Sequence, residues 1–263
     1  MRVGDLDLNV RSAGSGAPFL WAHGMGSSMQ AEDALDMLQW RHFPASLRLV
    51  RYDARGHGGN PAGAPATWRE LGQDMLALAD AIGEHRFIAG GWSMGCAGAL
   101  HAALQQSARI HGLVLLLPPT LWEARVAQAA LYRRAIALAH TAGTARVARL
   151  VAGQGAGLPP WLLEAAPHLA ALRAPAPDRA AMLAQYEGAA LSDLPPRAAL
   201  AALSATPALI IGWAGDAAHP LASARELHRL LPGSSLFIAQ NYQDVLGIPT
   251  RVRDFVQVCA ATR

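Results

Sequence analysis

The sequence predicts an α/β fold: a mostly parallel central sheet with helices on both faces, interrupted by a block of helices. Three observations carry this. Short apolar runs show almost no polar alternation, as strands buried on both faces of a parallel sheet do. Helical stretches separate them, the order that parallel strands with crossover connections require. From Pro118 to about Thr206 the apolar runs stop and Ala-rich segments take over.

The elements follow in order. "LDLNVR" (6–11) alternates apolar and polar residues and reads as one half-exposed strand. "PFLWA" (18–22), "LRLVRY" (47–52), "RFIAG" (86–90), "GLVLLL" (112–117), "PALIIGWA" (207–214) and "SLFIA" (235–239) read as buried strands. Helices are expected over 67–83, 94–107, 220–231 and 248–261. Thr67 and Glu70 give the first of these a capping-box start. The block at 118–206 carries Trp122, Tyr132, Trp161 and Tyr186 and is broken by "GQGAGLPP" and "RAPAPDR". Its apolar periodicity is too thin to bury a good core alone, so it is expected to rest on the sheet. Residues 1–117 and 207–263 then form one core, with 118–206 as a helical insertion.

Composition narrows the function classes. With 263 residues, 52% hydrophobic and 16% charged, the chain is globular rather than disordered. It has no run of eighteen apolar residues, so no membrane span is expected. "MRVGDLDLNVRSAG" lacks a basic start before an apolar block, so no signal peptide is expected. The net charge of +3 comes from arginines spread along the chain without a run, which argues against a nucleic-acid face. Cys96 and Cys259 stand far apart and read as reduced, buried thiols of a cytoplasmic protein. Metal clusters, phosphate loops and dinucleotide fingerprints are missing from the pattern. The expected partner is therefore a small-molecule substrate, with no cofactor, nucleic acid or membrane.

The chemistry gathers at the strand ends. "FIAGGWSMGCAGAL" holds Gly91-Trp92-Ser93-Met94-Gly95, a G-x-S-x-G turn between a strand and a helix. Glycines on both sides permit a tight turn that lifts the Ser93 hydroxyl above the sheet edge, where the helix N-terminus aims its free amides. Upstream, His23-Gly24-Met25-Gly26 ends another strand, and its Met25 amide pairs with that of Met94 as an expected oxyanion hole. A third strand ends in Asp53-Ala54-Arg55-Gly56-His57-Gly58.

Together these residues resemble the α/β-hydrolase fold family. His23-Gly24 resembles its oxyanion loop, residues 53–58 its D-x-R-G-x-G turn, and Gly91 to Gly95 its nucleophile elbow. "PALIIGWAGD" resembles the strand that delivers its triad acid, here Asp216. The resemblance implies a helical cap at 118–206, Ser93 as nucleophile, and structural roles for His23 and His57. It also implies a catalytic histidine in the loop after "SLFIA". That loop reads Gln240-Asn241-Tyr242-Gln243-Asp244, and no histidine follows His228.

His219 is the leading substitute base. It lies in the loop that leaves the strand of Asp216, and Pro220 biases it away from the helix. Its orienting acid is left open between Asp216, whose backbone is tied closely to it, and Asp244, in the loop where the family keeps its histidine. Asp244 also reads as a helix N-terminal acid. Tyr242 is a further candidate for the vacant space, as a hydrogen-bond donor. Trp122, Trp161 and Tyr186 are expected to line an apolar pocket, with His23, Trp92 and Tyr242 counted among the substrate-contacting side chains. The expected activity is hydrolysis of a small or medium apolar ester, thioester or lactone through an acyl-enzyme on Ser93. The alternatives are a non-hydrolytic catalyst or a ligand binder on the same scaffold.

Overall fold

A computed structural model describes residues 1–153, 158–170 and 178–262. The strands are β1 (Arg2–Val3), β2 (Leu6–Asp7), β3 (Val10–Ala13), β4 (Ala17–Ala22), β5 (Leu47–Tyr52), β6 (Phe87–Trp92), β7 (Ile110–Leu116), β8 (Ala208–Trp213) and β9 (Ser234–Ala239). β3 to β9 form one seven-stranded sheet in the order β3-β5-β4-β6-β7-β8-β9. All neighbours in it are parallel except β3, which runs antiparallel to β5 at the edge.

The sequence expectation fails at one strand. Residues 6–11 are not continuous: β2 pairs with β1 in a separate two-stranded ribbon, and β3 joins the main sheet. The alternating pattern is real, but a two-residue pairing set by main-chain hydrogen bonds splits it. The six buried runs all become strands.

Period-2 alternation sorts the strand residues onto the two faces. Leu20, Leu113, Leu115 and Ile210 point to one core cluster; Phe19, Trp21, Val114, Leu116 and Ile211 point to the other. The helices are α1 (Met29–Leu35), α2 (Trp68–Ala81), α3 (Met94–Gln105), α4 (Glu123–Ala142), α5 (Thr144–Gly153), α6 (Pro160–Ala165), α7 (Arg179–Ala190), α8 (Leu221–Leu230), α9 (Tyr242–Leu246) and α10 (Ile248–Ala261). Side chains of α2, α3 and α8 cover the first face, and those of α6, α9 and α10 the second.

α3 shows why its sequence is so poor in large residues. It is buried against both the sheet and α2, and a Cβ on Gly72 of α2 would stand only 2.7 Å from the Ala102 amide. Gly98 and Ala102 keep that approach open, while Gly95 lets the helix start pass close to the Ala22 carbonyl of β4. The expected capping box of α2 is present: Glu70 accepts from the Thr67 amide at 2.6 Å, and the Glu70 amide donates to Thr67 Oγ1.

The described parts of 118–206 are mostly helical or 3-10, joined by irregular segments such as 118–121 and 192–196, and lie between β7 and β8. Most of the breaks expected at "GQGAGLPP" and "RAPAPDR" lie outside the described residues.

Candidate active site

The C-terminal ends of parallel strands gather on one edge of the sheet. Here β4 runs into His23, β6 into Ser93, β7 into Pro119 and Thr120, and β8 into Asp216 and His219. Register fixes their neighbourhood: Ala22 sits opposite Gly91, and Trp92 opposite Leu116.

Ser93 caps the N-terminus of α3 with φ 55° and ψ −109°, a conformation sparsely populated by residues that carry a side chain. The surroundings impose it. The Ser93 amide donates to Leu116 O at 2.9 Å, and the Cys96 amide returns to Ser93 O at 3.0 Å. A Cβ on Gly91 would overlap the Gly95 backbone, and one on Gly95 would overlap the Ala22 carbonyl. Both glycines of the motif are thus required by close backbone approach. Cys96 lies buried beneath, where its Sγ donates to Gly91 O and Leu116 O at 3.0 Å, and burial pushes its thiol pKa above the ordinary value. It braces the turn as a neutral thiol.

His219 Nε2 lies 2.9 Å from Ser93 Oγ, and His219 Nδ1 lies 2.9 Å from Asp216 Oδ2. The three groups form a hydroxyl–imidazole–carboxylate relay. A histidine three residues beyond its acid reaches it because the loop folds back on the carboxylate. Asp216 Oδ1 accepts from the amides of Ala218 and His219 at 2.8 and 2.9 Å, and Gly215 enters the turn at φ 75°. The Asp216 side chain is 2% exposed and that of His219 19%, so the acid is sealed while the ring keeps an open edge. With Nδ1–H donated to Asp216, Nε2 faces the hydroxyl as an acceptor.

The loop exchange considered for Asp244 does not occur. Its Oδ2 accepts from the Gln240 amide at 2.8 Å, while its own amide donates to Asn241 Oδ1 at 3.0 Å. Asp244 closes the first turn of α9, the helix-capping alternative. Tyr242 does not fill the space beside Ser93 either; it lines a separate hollow with Leu35, His168 and Val245 on the other face.

Met94 is the first residue of α3, so its amide has no acceptor within the helix. Met25 stands in a turn closed by the Ser27 amide on Gly24 O at 3.2 Å. A Cβ on Gly24 would lie 3.6 Å from Ser93 Cβ, which puts this loop against the hydroxyl. Met25, Met94, Ser93 and His219 share one cavity of about 170 Å³.

His23 is a brace and not a lining residue. Its Nδ1 donates to Gly24 O at 2.7 Å, and its Nε2 accepts from the Ala54 amide at 3.0 Å, which ties the Met25 loop to the turn at 53–58. Asp53 ties that turn further, accepting from the Met29 and Gly59 amides. His57 donates through Nδ1 to Arg55 O; burial and the nearby His23 lower its pKa to about 4.

Most of the aromatic side chains expected in the pocket are elsewhere. Trp122 donates through Nε1 to Pro195 O and lies under the Arg197 guanidinium at 4.1 Å. Trp161 donates to Ala214 O, and Trp92 packs edge-on against Trp213. Tyr186 stacks at a tilt on Tyr132 and reaches the cavity only through it. The cavity of Ser93 is instead lined by Trp68, Thr120, Arg125, Gln128 and Tyr132. Four of these five lie in the inserted helical block or just ahead of its first helix. Sequence pattern carries no signal for them, because the docking of α4 selects them.

Among the described residues no group of three or more His, Cys, Asp or Glu is placed to hold a metal ion, and no helix is long and apolar enough to cross a membrane.

A profile of the alpha/beta hydrolase family matches residues 19–245. In the solved structures, a hydrolase from Pseudomonas aeruginosa PA01 is 25% identical, covers 98% of this chain and 99% of its own, and superposes with a TM-score of 0.74. An enol-lactonase from Burkholderia xenovorans LB400 is 21% identical, over 97% and 98% of the two chains, with a TM-score of 0.75. In sequence, 3-oxoadipate enol-lactonase 1 of Acinetobacter baylyi is 35% identical over 71 residues; the match spans 27% of this chain and 27% of that protein.

Proposed function

Since this chain belongs to the alpha/beta hydrolase family, we propose that it is a serine hydrolase acting on a small carboxylic ester, thioester or lactone. The observation that carries this reading is the relay from Ser93 Oγ through His219 to Asp216, with 2.9 Å at each step. Ser93 Oγ attacks the carbonyl carbon while its proton passes to His219 Nε2. Asp216 holds the ring in the tautomer that can accept it and stabilises the imidazolium that forms. The Met25 and Met94 amides stabilise the oxyanion. Collapse breaks the bond to the leaving oxygen or sulfur, which takes the proton from His219. Water, deprotonated by the same ring, then attacks the acyl carbon and releases the acid and Ser93. The helical block at 118–206 acts as the cap.

Non-hydrolytic and ligand-binding readings gained their force from a site without a base. An imidazole within hydrogen-bond distance of Ser93 supports hydrolysis over them, as do the hydrolase and lactonase names among the relatives. A fluorophosphonate probe is the direct test. Covalent labelling of Ser93 in the wild type, lost in Ser93→Ala, is expected; a folded wild-type protein that stays unlabelled would overturn the reading.

A further inference from the structure

Two arginines are buried among the described residues, and they are treated differently. Arg51, 5% exposed, pairs with Glu32 and Asp33. Arg125 is 3% exposed and, among the described residues, has no carboxylate within ion-pair distance. A guanidinium taken out of water without a counter-ion is unfavourable, and such groups are normally paired. Arg125 is held in place by neutral partners. Its Nε donates to Ser192 O at 2.9 Å, its Nη2 to Ala189 O, and its Nη1 at 3.4 Å to Thr120 Oγ1. Trp68 lies under the cation at 4.1 Å and Tyr132 at 5.2 Å. Asp193 acts on it electrostatically without forming an ion pair, and Asp193 Oδ1 accepts from the Trp122 and Leu194 amides. These contacts fix the position of the guanidinium and leave its charge without an ionic partner.

The same Arg125 lines the cavity of Ser93 and His219, where no Asp or Glu stands in the wall. A positioned cation without a salt-bridge partner, lining the same small cavity as a nucleophile, fits an anion on the substrate. We propose that Arg125 receives a carboxylate of the substrate, so that the enzyme acts on esters, thioesters or lactones carrying a negative charge. Two parallel N–H donors match a carboxylate, and the ring faces of Trp68 and Tyr132 hold the guanidinium plane. This inference rests on the reading of Ser93 as the nucleophile. It departs from the expectation of an apolar ester, thioester or lactone.

The carboxylate can sit on the acyl or on the alcohol side, and matched pairs distinguish them. Mono-p-nitrophenyl glutarate against its methyl ester tests the acyl side; 4-acetoxybutyrate against its methyl ester tests the alcohol side. In one pair the anion is expected to be preferred in kcat/KM by about tenfold or more, the size of a charge-assisted hydrogen bond. That ratio should fall toward one in Arg125→Gln, remain partly in Arg125→Lys, and shrink with added salt. Binding is read separately on Ser93→Ala, where glutarate should quench tryptophan fluorescence through Trp68 and glutaramide should not. Glutarate binding without turnover of either pair would sink the nucleophile and leave the carboxylate site standing. If Arg125→Gln does not fold, the wild-type ratios and the glutarate titration decide alone. The proposal is overturned by equal or better turnover of the neutral ester in both wild-type pairs, or by an anion preference that survives in folded Arg125→Gln.

Discussion

At the residue scale the relay gives an ordered set of outcomes. On the proposed reading, Ser93→Ala should lower p-nitrophenyl ester turnover by roughly 10⁴ or more with the fold intact, because Ser93 is the cavity hydroxyl that His219 contacts. His219→Gln should lose most of the rate as well, since an amide keeps a hydrogen bond to Ser93 but accepts no proton at neutral pH. Asp216→Asn should cost far more activity than Asp244→Asn, because Asp216 holds His219 Nδ1 while Asp244 only closes a helix turn. Steady-state rates on the four variants check this; parity between the two Asn variants would contradict it. His57 offers a pH test of stability. Its folded pKa of about 4 lies below the ordinary value near 6.5, so between these pH values the unfolded chain binds a proton that the folded one refuses. Stability therefore falls as pH drops through that window, by about 2 kcal/mol between pH 7 and 5 from this one group. Urea unfolding at both pH values should show a smaller loss in His57→Gln than in the wild type. An equal loss would show that His57 is not the group responsible.

At the element scale the decisive piece is the turn between β6 and α3. Gly95 faces the Ala22 carbonyl so closely that any Cβ must push α3 away from β4. Gly95→Ala should therefore destabilise the fold by about 1–3 kcal/mol, as overpacking does, and move Ser93 off its 2.9 Å contact with His219. Retained ester turnover with unchanged unfolding would refute this. The turn was legible in the sequence because Gly-x-Ser-x-Gly between an apolar run and an Ala-rich stretch leaves few other geometries. The buried strands were legible for a similar reason: a strand covered on both faces has an almost continuous apolar run. Other features depend on dihedrals and docking, which leave no periodic trace. Whether Asp216 or Asp244 serves His219 turns on a loop that folds back after Gly215, and no spacing rule encodes that fold. The short β1–β2 ribbon is set by main-chain pairing, so 6–11 reads misleadingly as one strand. The aromatic residues of the helical block look like pocket walls in sequence, yet Trp122 and Trp161 spend their indole N–H groups on backbone carbonyls. Arg125, which does reach the cavity, sits in an unremarked "WEARVAQ".

At the scale of the whole molecule, the question is whether the helices between β7 and β8 stand on their own. Among the described residues their separate cluster has only Ala139, Val147 and Met182 buried, too little to hold the helices together. The core supplies the rest. The Trp68 amide at the start of α2 donates to Ser192 Oγ at 2.9 Å, and Gln185 donates to Gly56 O at 2.7 Å. Gly188 in α7 packs so tightly on residue 66 that a Cβ would overlap the Ala66 carbonyl. The end of α7 also provides the Ala189 carbonyl that holds Arg125, so docking of the block and the shape of the cavity are one arrangement. Gly188→Ala should then act at both levels. Lifting α7 by even a fraction of an ångström weakens the contacts at Trp68 and Gly56, and it shifts the guanidinium that lines the cavity of Ser93. Expected outcomes are a loss of about 1–3 kcal/mol in global stability and a raised KM for a charged ester. Unfolding should remain a single transition, the same by tryptophan fluorescence and by far-ultraviolet circular dichroism. Two separated transitions in the wild type would mean that the block folds as a unit of its own. An unchanged KM in a destabilised variant would mean that α7 supports the fold without shaping the site.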